Sequence, residues 1–334
     1  MSKRDERVIK VIELLSDGAF HSGQCIGEEI GVTRTAISQY IKDIQALGLD
    51  VFRVTGKGYR LARAIELLHE KDIIQAVNEH NQGSKLSAEN IEVARVVTSS
   101  NDVLRTRLRE HGSLPAGYTV VAEAQTAGRG RRGKVWYSPF ASNLYLSMYW
   151  PLEHGMSAAM GLSVAIGTAL AETLTAIGIS NVQLKWPNDV LVNGEKLAGI
   201  LIELEGQAID SGHAIIGVGI NLRMPDWLEA PIDQPWTDVE KQLNGPVRRN
   251  ELVAKLIAEL RDALQSYAVE GLAPFIERWN AFDRLQDREV RIQLGEKVIA
   301  GYAQGIAEDG SLLVAVDGEL ERFHAGEVSL RYES

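Results

Sequence analysis

Cysteine is almost absent. Cys25 is the only one in 334 residues, which excludes an intrachain disulfide framework and fits a reducing cytoplasm, the expected location. It sits in apolar helical sequence and is expected to be a buried structural thiol. Long hydrophobic runs are missing too. The longest uncharged helical stretch, Gly155 to Ala171, is short for a membrane span and rich in Gly, Ala, Ser and Thr, so a buried helix is expected and no membrane partner. The amino terminus mixes charges of both signs and lacks the apolar segment of a signal peptide. No His or Cys spacing points to a fixed zinc site. Basic residues are in deficit overall, 35 Lys+Arg against 45 Asp+Glu, for a net charge of −10. The length suggests about two domains, or three if some are small.

The deficit is uneven. Residues 1–63 carry 10 Lys+Arg and 8 Asp+Glu, a net of +2, which leaves −12 for the rest, so the amino-terminal segment is the part suited to a polyanion. Its pattern agrees. Glu6 to Leu15 is amphipathic; Ser22 can cap a short helix through Ile30; Gly31-Val32 turns; Thr33 can cap a third helix to about Ala46. Ile37, Ile41 and Ile44 form the buried stripe of that helix, with Arg34, Thr35, Ser38, Gln39 and Lys42 on the other side. Val51–Val54 and Tyr59–Leu61 flank Thr55-Gly56-Lys57-Gly58, a hairpin with a basic tip. A winged helix-turn-helix presenting Thr33, Arg34, Thr35, Ser38, Gln39, Lys42 and Lys57 to DNA is the expectation. The plainer alternative is a three-helix packing domain with an ordinary polar face.

A second absence is local. No Asp or Glu occurs between Glu123 and Glu153, and within that gap stands Gly128-Arg-Gly-Arg-Arg-Gly-Lys134, four cations on a glycine-punctuated backbone. Such a loop can wrap an anion. Two familiar motifs are spelled there and both fail. The G-x-G-x-x-G of a dinucleotide site and the G-x-x-x-x-G-K of a P-loop need a following helix, whereas Val135 to Trp150 is aromatic, strand-like sequence broken by Pro139. The P-loop reading also lacks its hydroxyl, since Val135 follows Lys134.

Upstream, Glu66 to Asn78 is amphipathic and Glu79 to Lys85 reads as a loop before the strand Ile91 to Val97. Thr98-Ser99-Ser100-Asn101 reads as a hydroxyl-rich cap opening a helix from Asp102 to Glu110, and Tyr118 to Ala124 as a strand delivering Gln125 to the basic loop. Downstream, a buried helix is expected over 157–177. Then Lys185-Trp-Pro-Asn-Asp189 places polar groups on a bend between short strands, and Asn193-Gly194 signals a tight hairpin. Lys196 lies by that turn and Gly199 mid-strand. The apolar strand Ala214 to Ile220 ends on Asn221, so three β elements bring Lys185, Asp189, Lys196 and Asn221 to one face.

The wing, GRGRRG with its W-x-S-P sequel, KWPND, KLAGI and GVGIN, in this order, resemble the bifunctional biotin protein ligases and biotin operon repressors of bacteria. KWPND followed by KLAGI is the specific part, and the resemblance spans nearly the whole chain. It implies an α+β multidomain fold: a winged helix at 1–63, a catalytic α/β domain related to class II aminoacyl-tRNA synthetases at 64–284 (64–90 a linker region), and a small SH3-like barrel at 285–334. For the last, strands at Val290–Leu294, Val298–Ala300, Leu312–Val316 and Arg322–Ala325 fit, as do helices at Asn250–Tyr267 and Pro274–Phe282 before it.

The resemblance further implies ATP-dependent formation of biotinyl-5′-adenylate, accompanied by Mg²⁺, and transfer of biotin to a lysine of the biotin carboxyl carrier protein of acetyl-CoA carboxylase. By motif match, Lys196, Arg131, Lys185 and Asp189 are the catalytic set. Ser99, Ser100, Asn101, Gln125, Gly128, Arg129, Arg131, Lys196 and Gly199 belong to biotin. Arg129, Arg131, Arg132, Trp136, Lys185, Asn188, Asp189 and Asn221 belong to ATP and the adenylate. Asp189 is also the candidate to neutralise the incoming lysine. The adenylate is implied as corepressor of a homodimer on a palindromic operator. One departure is Thr98, where members commonly have an acidic residue. Competing possibilities are a ligand-sensing transcription factor without catalysis, a lipoate ligase, and a ligase that has lost DNA binding. The first could dispense with Arg131, Lys185 or Lys196, all present here; the second lacks KWPND–KLAGI.

Overall fold

The computed structural model describes residues 2–80, 86–153, 155, 159–206, 212–224, 232, 234–324 and 329–332, the last four by backbone alone. The chain begins with three helices, α1 (Lys3–Leu15), α2 (Gly23–Ile30) and α3 (Arg34–Ala46), and the hairpin β1 (Val51–Val54) and β2 (Gly58–Leu61). Each helix starts on a capping hydroxyl, from Ser2, Ser22 and Thr33. At Ser2 the cap is reciprocal, since the Ser2 amide donates to Asp5 at 2.9 Å and the Asp5 amide to the Ser2 hydroxyl at 3.2 Å. This moves the start of α1 back from Glu6 to Lys3. Ile12, Leu15, Ile26, Ile37, Ile44 and Leu61 fill the core of the unit. Cys25 is exposed, against expectation. The inward stripe of α2 is Gly23, Ile26 and Gly27, and Cys25 lies one residue off it, about 100° round the helix.

The central unit is a seven-stranded sheet in the order β3-β4-β5-β9-β8-β7-β6. Its strands are β3 (Ile91–Val97), β4 (Thr119–Gln125), β5 (Leu144–Leu152), β6 (Val182–Lys185), β7 (Asp189–Val192), β8 (Glu195–Gly206) and β9 (Gly212–Ile220). Only the β3–β4 pair is parallel. One face packs on α4 (Glu70–His80), α6 (Leu162–Ala176), α8 (Arg249–Glu270) and α9 (Ala273–Asn280). α6 opens after Gly161, later than the expected 157; residues 157 and 158 lie outside the described residues, as do 81–85 of the expected loop. On the opposite face α5 (Ser100–His111) covers part of the sheet, where Leu104 meets Val120, Tyr149 and Ile215. The rest of that face holds the site described below.

The described part of the segment expected as a linker region, residues 64–80 and 86–90, is built into the central unit. Ile73 and Val77 of α4 are fully buried against α8, and the chain before it is pinned by Glu123, itself fully buried. Glu123 accepts the Leu68 amide at 2.5 Å, Arg249 at 2.8 Å and Arg95 at 3.3 Å. Arg249 also donates to the Glu66 carbonyl at 2.6 Å and the Asn143 carbonyl at 3.1 Å. Removing one partner of such a buried pair typically costs about 3–5 kcal/mol, because the other charge is left without compensation. The winged helix is tied down as well: Phe140 and Ala141 join its hydrophobic cluster, and Arg63 reaches Glu240 at 3.1 Å.

Five antiparallel strands close the chain, β10 (Glu289–Leu294), β11 (Lys297–Ile306), β12 (Leu312–Val316), β13 (Glu319–Phe323) and β14 (Ser329–Tyr332), in the order β13-β12-β11-β10-β14. β13 begins at Glu319 rather than Arg322. Asp317 and Gly318, both at positive φ (51° and 89°), form a two-residue turn joining it directly to β12. Ala325, the expected end of that strand, lies outside the described residues. The sheet's core, with Val290, Ile292, Leu312 and Val314, is continuous with the central one, and the Trp186 indole N–H donates to the Gly310 carbonyl at 3.0 Å. Among the described residues no helix is long and apolar enough to cross a membrane.

Candidate functional site

Three glycines leave a stretch of sheet bare. Gly199 on β8 faces Gly219 on β9 in the antiparallel register, and Gly217 lies two residues away on the same side of β9. A Cβ on Gly219 would stand 2.4 Å from Cε2 of Trp136, one on Gly199 would stand 3.0 Å from the same ring, and one on Gly217 would stand 2.8 Å from Oδ1 of Asn101. The absence of side chains is therefore what lets Trp136 and Asn101 lie on the sheet. The Trp136 indole N–H is buried there with no hydrogen-bond partner among the described residues.

Trp136 is brought down by the basic stretch, which forms a narrow hairpin. The Trp136 amide donates to the Gly128 carbonyl at 2.9 Å and the Gly130 amide to the Lys134 carbonyl at 2.7 Å, and a short 3₁₀ turn over Arg131–Gly133 makes the tip. Arg132 and Gly133 both take positive φ, 54° and 74°. Gly128 lies at the base, where a Cβ would sit 2.4 Å from the Trp136 carbonyl oxygen and 3.0 Å from Nε2 of Gln125. The hairpin, the sheet and the start of α5 enclose a cavity of about 490 Å³. Every small-molecule site residue expected from sequence lines it except Gly128, which packs behind Gln125.

At one end stand hydroxyls and amides. Ser99, Ser100 and Asn101 are buried; α5 opens at Ser100 rather than Asp102, with Ser99 at the cap position but its hydroxyl making no cap hydrogen bond. Gln125 instead accepts from the Ser100 amide at 2.9 Å and the Ser100 hydroxyl at 3.2 Å, while its own amide donates to Ser138 at 2.9 Å. Ser147 of β5, fully buried, lies 2.7 Å from the Ser100 hydroxyl and 2.5 Å from Oδ1 of Asn101.

Cations gather at the other end. Lys196 pairs with Asp189 at 2.8 Å and its ammonium lies 5.5 Å from the Trp136 ring centroid. Its backbone is braced by the 235–237 segment: the Lys196 amide donates to the Pro235 carbonyl and the Thr237 amide to the Lys196 carbonyl, both at 3.0 Å. Asn221 reinforces this brace, donating from Nδ2 to Thr237 at 3.2 Å and to Lys196 at 3.4 Å. Asn188 donates to the Ile200 carbonyl at 2.8 Å and accepts from Arg131 at 3.0 Å, which ties the hairpin tip to β8. Burial, followed by the neighbouring charge of Arg132, pulls the Arg131 pKa below the usual guanidinium range. An anion at this end would relieve both effects. Lys185 also lines the cavity here.

The basic stretch is not uniformly uncompensated, as its local sequence implies. Arg129 is paired with Asp102 through two contacts of 2.8 and 2.6 Å, with an acid contributed from 27 residues away. Residues that sequence reading did not single out for the site are Asp102, Ser138, Ser147, Glu203, Gly217 and Gly219. The two glycines carried a signal in their spacing of two on an apolar strand, which places both on one face. Ser147 sits unmarked in an aromatic strand. In the winged helix, Thr33 is occupied as the cap of α3, Arg34, Thr35, Gln39 and Lys42 are exposed on its outer side, Ser38 is half-buried, and Lys57 is exposed at the wing tip.

A winged helix joined to a glycine-floored cavity, cationic at one end and hydroxyl-rich at the other, defines a helix-turn-helix protein with a built-in cavity domain whose cationic end suits an anion. Residues 93–221 match the biotin/lipoate A/B protein ligase family, residues 7–60 an HTH domain, and residues 287–331 the biotin protein ligase C-terminal domain. The chain is 43% identical to the bifunctional ligase/repressor BirA of Escherichia coli over 97% of both chains. It is 35% identical to the biotin–[acetyl-CoA-carboxylase] ligase of Paracoccus denitrificans over 58% of this chain and 82% of that one. Among solved structures, the biotin protein ligase of Aquifex aeolicus in complex with biotin and ATP superposes with a TM-score of 0.62 at 27% identity, over 73% of this chain and all (100%) of the other. The chain belongs to the bifunctional biotin protein ligase/repressor family.

The glycine floor has a direct test. In Gly219→Ala the new methyl meets Trp136, an overpacking of about 1–3 kcal/mol that displacement of the indole relieves. We expect acrylamide quenching of tryptophan fluorescence to rise in Gly219→Ala, and the same substitution to have no effect on quenching in a Trp136→Phe background. Equal quenching in Gly219→Ala and wild type would show that the indole does not rest on this glycine.

Proposed function

We propose that the chain activates biotin with ATP to biotinyl-5′-adenylate, transfers the biotin to a lysine of the carboxyl carrier protein of acetyl-CoA carboxylase, and represses the biotin operon with the adenylate as corepressor. The observation that carries the reading is the convergence of Arg131, Lys185 and Lys196 on one end of a cavity whose other end is built from Ser99, Ser100 and Gln125. In the first step the biotin carboxylate attacks the α-phosphorus of ATP and pyrophosphate leaves. Two anions must meet, so preorganised cations are the main requirement. Lys196 bridges the carboxylate and the α-phosphate. Arg131, tethered by Asn188, closes over the adenylate, and Lys185 faces the phosphates. Ser99, Ser100, Gln125 and Gly199 hold biotin's polar rings and chain, and Trp136 lies on the adenine side.

In the second step the carrier lysine amine attacks the acyl carbon and AMP leaves with the bonding pair. Asp189, already paired with Lys196, is the candidate to neutralise the incoming ammonium. Mg²⁺ comes with the ATP phosphates. Among the described residues no group of three or more His, Cys, Asp or Glu is disposed to hold a metal. For the repressor role, adenylate-bound protein pairs through its central domains into a two-fold dimer, and Arg34, Thr35, Ser38, Gln39 and Lys42 of α3 enter the major groove of each half-site with Lys57 on the backbone. A reducing cytoplasm suits both roles. The domain limits proposed are 1–63, 64–284 and 285–334.

Two measurements test this. Wild-type protein with ATP, Mg²⁺ and labelled biotin should label a purified carrier domain, and Lys196→Ala should lower the rate by at least about a hundredfold. Biotin binding without any transfer would contradict the ligase. With biotin and ATP present, binding to the control region of the chain's own biotin operon should weaken in Lys42→Ala, with the salt slope reduced by about one if Lys42 meets a phosphate. Binding indifferent to sequence and to biotin would contradict the repressor.

A further inference from the structure

The cations of the hairpin are not equivalent. Arg131 reaches forward to Asn188 over the cavity, whereas Arg129 turns back to α5. Both terminal nitrogens of Arg129 meet the Asp102 carboxylate, at 2.8 and 2.6 Å, the two-pronged geometry that makes guanidinium–carboxylate pairs directional. Asp102 also accepts from Arg105 at 3.1 Å. Arg105 crosses to β8, meeting Glu203 at 2.9 Å and Glu205 at 2.6 Å. Glu203 accepts from Nδ2 of Asn101 at 2.6 Å and stands 3.9 Å from Arg129. At its other end Asn101 receives the Ser147 hydroxyl. The cluster therefore joins three separate pieces of the cavity wall: the first turn of α5, the entry strand of the hairpin, and β8. An isolated exposed ion pair contributes little, but two-pronged contacts within a network are the exception. The hydrogen bonds from Arg129 hold the Asp102 carboxyl below its usual range, and Asp102 in turn raises Arg129.

We propose that Asp102, Arg105 and Glu203 form an electrostatic clamp that fixes Arg129 and Asn101, making these two positioning residues of the biotin end rather than ligands of the adenylate. The anion is then met by Arg131, Lys185 and Lys196. The inference rests on the ligase reading and revises two of the residues that sequence resemblance assigns to biotin and ATP. It explains why a loop that must receive an anion carries one arginine already committed to a carboxylate. The committed cation anchors the hairpin, so that its tip is aimed without spending a cavity-facing charge.

The test uses the full chain. Asp102→Asn removes the charge at nearly constant shape, Asp102→Glu keeps it, and Arg129→Lys keeps the cation but loses the fork. Both positions, Asp102 and Arg129, are partly exposed, and Asp102→Glu serves as the control for folding. In ligand-free protein, tryptic cleavage after Arg131 or Arg132, followed by mass spectrometry, should be at least about threefold faster in Asp102→Asn and near the wild-type rate in Asp102→Glu. In adenylate formation, Asp102→Asn and Arg129→Lys should raise KM for biotin about five- to tenfold, with KM for ATP and kcat within about twofold. A rise in KM for ATP or a large fall in kcat for Arg129→Lys, with Asp102→Asn silent, would overturn the proposal and put Arg129 on the nucleotide. If wild type forms no adenylate, the ligase reading fails, while the cleavage rates still decide whether the clamp exists.

Discussion

The site depends on bare backbone. Gly199 and Gly219 face each other across β8 and β9, with Gly217 beside them, and no side chain larger than hydrogen could leave room for the indole of Trp136 or the carboxamide of Asn101. Trp136 and Asn101 take their positions from that floor. Trp136 lies flat because the floor admits it, which seats the hairpin and brings its tip within reach of Asn188 on the far wall. Lys196 is held over the same ring, with its backbone bracketed by residues 235–237. An acidic protein of net charge −10 thus keeps a cationic pocket by local placement rather than by overall composition.

The charges that could have cancelled the pocket are spent elsewhere. Asp102 and Glu203 serve Arg129 and Arg105, and Glu123 is sunk beneath Arg249 and Arg95 in the join between the winged helix and the central sheet. Among the described residues Asp189 is the acid that faces the cavity cations directly, paired with Lys196. The same buried join contains Phe140 and Ala141, which follow the hairpin in sequence and pack into the winged-helix core. The DNA-binding unit is therefore seated on the segment that leaves the ligand site.

Much of this was legible in order along the chain because its signals are local. Thr33 as cap, Gly31 as the turn before it, Asn193-Gly194 as a hairpin, and Lys185 to Asp189 as a bend between strands each rest on residues within a few positions of one another. The failures share the opposite property. That Arg129 is neutralised depends on Asp102, brought near only when α5 packs on the sheet. Ser99 and Ser100 spell a cap, but Ser99 is buried without a cap hydrogen bond and Ser100 is engaged by Gln125 and Ser147, which come from two other strands. Cys25 missed the buried stripe by a single helical step, a difference that hydrophobic surroundings alone do not resolve. Residues 64–90 read as a linker region because their apolar residues are few and spread out, and the contact of α4 with α8 is what puts Ile73 and Val77 in the core.

The proposed reaction requires the two ends of one cavity to hold biotin and ATP together, so that the carboxylate reaches the α-phosphorus before any carrier protein arrives. Exchange of labelled pyrophosphate into ATP, catalysed by the purified full chain without carrier, measures that step alone. Exchange that appears only when biotin is added is the expected result. Exchange that never appears, or that requires the carrier domain, would contradict a free-standing adenylation step in this cavity.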